Sequence, residues 1–135
     1  MPSGYSSRSL IDKLGLKRGQ YACFHDAPAY YTSLLGDIPE GVVETSLGNQ
    51  NCDFIHYFSS DLEEYQQELP RLKAALKPHG MLWVSWPKKA AGIKTSLDEN
   101  DVRKLGLEAG LVDVKVIAVD ETWSGLKFMY RLADR

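Results

Sequence analysis

The stretch FIHYFSSDLEEYQQELPRLKAALKPHGMLWVSW, residues 54–86, decides the fold. It opens on Phe54-Ile55-His56-Tyr57-Phe58, a compact aromatic and β-branched run that suits a strand. It closes on Met81-Leu82-Trp83-Val84-Ser85-Trp86, nearly continuous in apolar residues, as a parallel strand covered on both faces must be. Between them Leu62, Tyr65, Leu69, Leu72 and Leu76 recur at spacings of three and four, the stripe by which a helix covers one face of a sheet. Ser60 with Glu63 forms a capping box that predicts the helix start. Pro70 lies off the stripe and predicts a bend. Pro78-His79-Gly80 predicts the helix end, and Pro87 the end of the second strand. Strand, helix, strand is a β-α-β unit, and such a unit implies parallel strands.

Upstream, a short helix is expected from Ser9 to Leu14, stopped by Gly15, then a strand from Tyr21 to His25. After a break at Asp26-Ala27-Pro28, a short helix from about Ala29 to Leu35 ends at Gly36. Val42 to Ser46 reads as a further strand, although the loop Gly48-Asn49-Gln50-Asn51 leaves little room for a crossover helix behind it. Downstream, Ser96 with Glu99 forms a second capping box opening a helix through Val102, Leu105 and Ala109 to Gly110. Val112 to Val119 follows as a strand. Leu126 to Leu132 comes after only Asp120-Glu121-Thr122-Trp123-Ser124-Gly125, too short for a crossover, so these last two strands pair antiparallel. The expectation is a single α/β domain over residues 1–135, three layers deep and Rossmann-like, with a mostly parallel sheet, a C-terminal antiparallel hairpin and a reduced first half. Residues 1–8, containing Pro2-Ser3-Gly4, read as a tail.

Composition narrows the function classes. Of 135 residues, 44% are hydrophobic and 25% charged, which suits one globular core and neither a disordered nor a collagen-like chain. Sixteen basic against eighteen acidic side chains give a net charge of −2, so there is no broad positive field to attract a nucleic-acid backbone. No run approaches the roughly 20 apolar residues that span a bilayer, and the N-terminus carries no secretory pattern. The expectation is a cytoplasmic protein without nucleic-acid or membrane partners. Cys23 and Cys52 lack zinc-site spacing, the three histidines are scattered, and buried free thiols with no metal are expected.

Cys52-Asp53-Phe54-Ile55, the leucine-striped helix, Leu76-Lys77-Pro78-His79-Gly80-Met81-Leu82-Trp83-Val84 and the closing hairpin resemble the second half of class I S-adenosylmethionine-dependent methyltransferases. The likeness covers about two-thirds of the chain. It implies a methyltransferase-like fold and a site for S-adenosylmethionine. Two departures bear on that cofactor. Where the family places a glycine-rich loop after the first strand, this chain has His25-Asp26-Ala27-Pro28, whose side chains would crowd a cofactor. Glu44 is the nearest acidic residue for its ribose. The whole chain is also similar to a small group of bacterial proteins of comparable length that share Trp86-Pro87-Lys88-Lys89 and Val119-Asp120-Glu121-Thr122-Trp123-Ser124-Gly125, a resemblance that implies no particular activity.

In open α/β sheets ligands bind beyond the carboxyl ends of the parallel strands. The candidates there are His25 and Asp26; Ser59, Ser60 and Asp61; Lys88 and Lys89; and Asp120, Glu121, Thr122, Trp123 and Ser124. Lys88 and Lys89 suit a phosphate or carboxylate, with solvated loop lysines as the bland alternative. Asp120 and Glu121 suit an acid and base, or ion pairs to those lysines. Trp123 suits stacking on a planar ligand or packing over the end of the core. His25 beside Asp26 resembles half of a relay but lacks a nucleophile, and His56 reads as a core histidine. Three functions remain open: a non-catalytic or cryptic domain binding a small anionic ligand or a protein partner, a divergent S-adenosylmethionine-dependent methyltransferase, and an interaction module that buries Trp123 against another chain, a homodimer included.

Overall fold

Strand β3 (Cys52–Phe58), helix α3 (Leu62–Ala75) and strand β4 (Leu76–Pro87) form the expected β-α-β unit in the computed structural model, which describes residues 8–135. The tail expected over residues 1–8 therefore lies outside the described residues, except for Arg8, whose guanidinium donates to the Asp12 carbonyl. Ahead of this unit come α1 (Leu10–Leu14), β1 (Tyr21–His25), α2 (Tyr31–Leu35) and β2 (Val43–Glu44). After it come α4 (Glu99–Glu108) and the antiparallel pair β5 (Leu111–Ala118) and β6 (Trp123–Tyr130). The sheet order is β2-β1-β3-β4-β6-β5, with β2, β1, β3 and β4 mutually parallel and β6 antiparallel to both β4 and β5.

The period-two alternation of β3 and β4 divides the core between two faces. Ile55, Tyr57, Leu82 and Val84 face Leu69, Leu72 and Val102 of α3 and α4. Phe54, Phe58 and Trp83 face Ile11, Leu14, Tyr31 and Leu35 of α1 and α2. The result is three layers, reduced in the first half, where helices of five residues stand against 14 and 10 in the second. A short helix covers less sheet, and Trp83 compensates in part: it is fully buried and its indole N–H donates to the Leu14 carbonyl at 2.8 Å, tying β4 to the end of α1.

Four local expectations need correction. The α3 cap is Asp61, whose carboxylate accepts from the Glu64 N–H, not Ser60; the α4 cap is Asp98, accepting from the Asp101 N–H, not Ser96. Ser96 instead reaches across to accept the Leu62 N–H at 2.9 Å, serving the start of the other helix. Pro78-His79-Gly80 lies within β4, because Leu76 turns directly from helix to extended backbone and pairs with Cys52. Between the pairs Cys52–Leu76 and Phe54–Met81, β3 advances two residues and β4 five, so three residues bulge out. Gly80 fits there because a Cβ would meet Leu76 Cδ1 at 2.8 Å and the Cys52 and Asp53 carbonyl oxygens at 3.0 Å. Lastly, β6 starts at Trp123 rather than Leu126, shrinking the hairpin turn to residues 119–122.

The weakly marked second strand is present but only two residues long, against the five expected from Val42 to Ser46. That brevity explains the missing crossover helix. A strand of two residues needs a return of only about 7 Å, which the irregular segment of residues 45–51 supplies, with Leu47 packed on the core and the Gln50 and Asn51 N–H groups donating to the carbonyls of Ala74 and Ala75. Among the described residues no helix is long and apolar enough to cross a membrane.

Candidate functional site

The carboxyl ends of β1, β3 and β4 and the β5–β6 turn share one edge of the sheet, as the strand directions require. A cleft of about 660 Å³ opens there between the end of β4, the start of β6 and the start of α4. Its apolar lining comes from Trp86, Pro87 and Leu97, its hydroxyls from Thr95, Ser96 and Ser124, and its cations from Lys88 and Lys89. Asp98, Glu99 and Asn100 complete the rim. The β4–β6 register produces the near side, since Trp86 pairs with Ser124 and Pro87 with Trp123. The far side is held by the strap Thr95-Ser96, where the Thr95 hydroxyl and the Ser96 N–H donate to the Ser60 carbonyl at 2.9 and 3.0 Å.

The charges in this cleft are unequally satisfied. Asp98 caps α4, and Glu99 pairs with Arg103 at 2.9 Å. Neither Lys88 nor Lys89 has an ion-pair partner among the described residues; Lys88 is anchored through its backbone, whose N–H donates to the Thr122 carbonyl and whose carbonyl accepts the Ala91 N–H. The side chains of Ser124 and Asn100 have no hydrogen-bond partner among the described residues either. The groups left open toward the cleft are thus mainly donors.

Of the sequence candidates, Lys88, Lys89 and Ser124 line this cleft, and Asp120, Glu121, Trp123, His25 and Asp26 do not. Asp120 organises its own turn: one carboxylate oxygen accepts the Thr122 and Trp123 N–H groups at 2.8 and 2.7 Å, an Asx-type arrangement. Its other oxygen accepts from the Tyr30 hydroxyl at 3.0 Å, and that hydroxyl accepts from the Trp123 indole N–H at 3.1 Å. Partial burial first, and the bond to Asp120 second, raise the Tyr30 pKa. Trp123 also packs edge-on against Phe58, with ring centroids 5.1 Å apart. The expected alternative of an Asp120–lysine ion pair is therefore replaced by a bridge from the hairpin to the loop after β1. Glu121 is exposed.

His25 lies on the α3 face, its Nε2 2.9 Å from Glu68 and 3.8 Å from Asp26, with its ring stacked on Tyr57. Asp26 takes the left-handed conformation, φ 56°, so a non-glycine residue makes the turn after β1. His56 is fully buried, with Nδ1 2.6 Å from the Tyr31 hydroxyl and Nε2 2.7 Å from the Ser85 hydroxyl. Burial pushes its pKa down to about 3. Cys23 and Cys52 are free and buried. Among the described residues no group of His, Cys, Asp or Glu is placed to hold a metal ion. Sequence reasoning missed Tyr30 and the 95–100 segment as part of a site; the capping pattern placed the start of α4 two residues early, at Ser96 instead of Asp98, and so did mark this segment as a helix start.

No protein-family model matches the chain, and no curated protein matches it. Solved structures do. An S-adenosylmethionine-dependent methyltransferase from Aquifex aeolicus superposes with a TM-score of 0.62 at 18% identity, covering 90% of this chain and 88% of that one. Magnesium protoporphyrin IX methyltransferase from Synechocystis, with bound S-adenosylmethionine, gives 0.58 at 12% identity over 90% and 74% of the two chains. The 1,6-didemethyltoxoflavin N1-methyltransferase of Burkholderia thailandensis, with bound S-adenosylhomocysteine, gives 0.54 at 15% identity over 88% and 73%. At these identities the likeness concerns architecture alone: the chain has the mostly parallel α/β fold of S-adenosylmethionine-dependent methyltransferases.

Proposed function

We propose that this domain binds a small anionic ligand in the cleft between β4, β6 and the start of α4. The observation that carries the reading is the imbalance just described: Asp98 and Glu99 are engaged within α4, whereas Lys88 and Lys89 have no counter-charge among the described residues. Ammonium groups beside an apolar wall are poorly screened and attract phosphate or carboxylate. The reading assigns no reaction. An amide chemical-shift titration with inorganic phosphate, adenine and nicotinamide nucleotides tests it. Saturable shifts over residues 86–100 that vanish in the K88A/K89A variant, at unchanged thermal stability, support it. Silence across the panel sinks it and moves the search to a protein partner.

A second reading, a divergent S-adenosylmethionine-dependent methyltransferase, is favoured by two placements. Asp26 supplies the left-handed turn after β1 where the resemblance expects glycine, and Glu44 stands at the carboxyl end of β2. Against it stands the Tyr30–Asp120–Trp123 bridge over the same edge. Shifts over residues 24–29 and at Glu44 with S-adenosylmethionine and S-adenosylhomocysteine would support it; their absence at millimolar ligand would remove it.

A further inference from the structure

We infer that the ligand carries two separated anionic groups, one seated on each side of the Thr95-Ser96 strap; the inference rests on the cleft reading above. A second depression of about 260 Å³ adjoins the first and shares Thr95 and Ser96 as its wall, with Ser60, Asp61 and Lys94 completing it. It repeats the chemistry of the larger cleft. Its carboxylate, Asp61, is engaged as the cap of α3. Its lysine, Lys94, has no ion-pair partner among the described residues, and the Ser60 hydroxyl has no hydrogen bond there. On both sides of the strap, then, the acids are engaged, Asp61 and Asp98 as helix caps and Glu99 by Arg103, and the cations are left open.

The strap itself is fixed. The Thr95 hydroxyl bonds the Ser60 carbonyl and accepts the Leu97 N–H, and Ser96 takes the Leu62 N–H. It is therefore a rigid divider rather than a flap that a single ligand group would displace. The divider is one extended backbone wide, which sets the two anionic groups roughly 5–10 Å apart. The larger depression has the volume for the organic body that joins them, since small-molecule sites of roughly 300–1,000 Å³ hold ligands of nucleotide size. The fitting class is an organic bisphosphate or an elongated dicarboxylate, with its body against Trp86, Pro87 and Leu97.

Isothermal titration of the full chain at low ionic strength with adenosine 5′-monophosphate and adenosine 3′,5′-bisphosphate tests this. The bisphosphate is expected to bind at least about tenfold tighter, from one added charge-assisted contact. The K94A variant is expected to abolish that ratio while leaving the monophosphate unchanged, whereas K88A/K89A weakens both. Equal affinities in the wild type, or a K94A variant that weakens both nucleotides alike, would overturn the two-anion inference and leave the cleft reading standing. No heat and no shifts with either nucleotide would overturn the cleft reading and the inference together.

Discussion

Lowering the pH from 7 to 5 should destabilise this protein through one residue, His56. Its imidazole is fully buried between the hydroxyls of Tyr31 and Ser85, and the rings of Phe54, Phe58 and Tyr31 surround it. No carboxylate faces it from any of these elements, so nothing offsets the cost of an imidazolium there, and its pKa falls from 6.5 to about 3. A neutral ring satisfies both neighbours, donating through one nitrogen and accepting through the other. The sign follows from linkage: above pH 6.5 both states hold a neutral ring and there is no effect. As pH falls below 6.5 the unfolded chain gains a proton that the folded chain refuses, and stability declines until about pH 3. With 1.36 kcal/mol per pH unit, the loss at pH 5 is about 2 kcal/mol and at pH 3 about 4 kcal/mol. For a domain of this size 2 kcal/mol corresponds to a Tm drop of roughly 6–8 °C. Urea unfolding of the wild type and of H56Q at pH 7, 6 and 5 isolates the term, because every other titrating group is common to both. The wild type should lose about 2 kcal/mol more than the variant over that interval. Parallel losses would refute the argument. If H56Q does not fold, the imidazole carbon resonances of the wild type decide: a His56 signal that titrates above pH 5 is incompatible with a neutral buried ring.

Gly106 faces the ring of Phe128, which a Cβ at that position would overlap. G106A should therefore cost about 1–2 kcal/mol net, overpacking exceeding the helix-propensity gain of about 1 kcal/mol, as read by urea unfolding. The cap assignment separates two neighbours: D61A should lose about 1 kcal/mol and S60A less than about 0.5 kcal/mol, and the reverse order would restore the capping box expected at Ser60. D120A removes the acceptor for two turn N–H groups and should cost about 1–2 kcal/mol. Y30F breaks only the bridge to the hairpin; hydrogen exchange at Thr122 and Trp123 should quicken more in D120A than in Y30F.

The parts of the fold that could be read were those set by periodicity. Leu62, Tyr65, Leu69 and Leu72 can serve only as one helix face, and Met81–Trp86 only as a strand with two covered faces, so the β-α-β core followed from residue types alone. The caps did not, because the pattern is locally degenerate: Ser60 has Glu63 three residues on, but Asp61 has Glu64. Contacts distant in sequence break the tie. Ser59 Oγ accepts the Asp61 N–H, and Ser96, 34 residues along, takes the Leu62 N–H. The site divides the same way. Lys88, Lys89 and Ser124 were legible because the end of a strand fixes where the next residues emerge. Thr95 and Ser96 were not, since only their bonds to Ser60 bring that segment against the strand ends. Asp120 suits either an acid–base role or a pair with the lysines by its residue type alone, yet an aspartate two and three residues before free N–H groups satisfies them locally, which holds it away from the cleft.

Strand order reverses between β1 and β3, the point where an open α/β sheet leaves a crevice at its carboxyl edge. In this chain that region is crossed by the Tyr30–Asp120–Trp123 bridge, with Trp123 packed on Phe58 at the end of β3 and His25 held by Glu68 at the end of β1. The larger cleft lies instead at the end of β4, between that strand, its antiparallel neighbour β6 and the start of α4. A ligand at the reversal point would have to part the bridge and forfeit its hydrogen bonds and the Trp123–Phe58 contact; one at β4 meets open lysines and displaces nothing. Binding at the first position is therefore coupled to movement of the hairpin turn, and binding at the second is not. In a W86F background, where the emission comes from buried Trp83 and from Trp123, tryptophan fluorescence should change with the first kind of ligand and stay constant with the second.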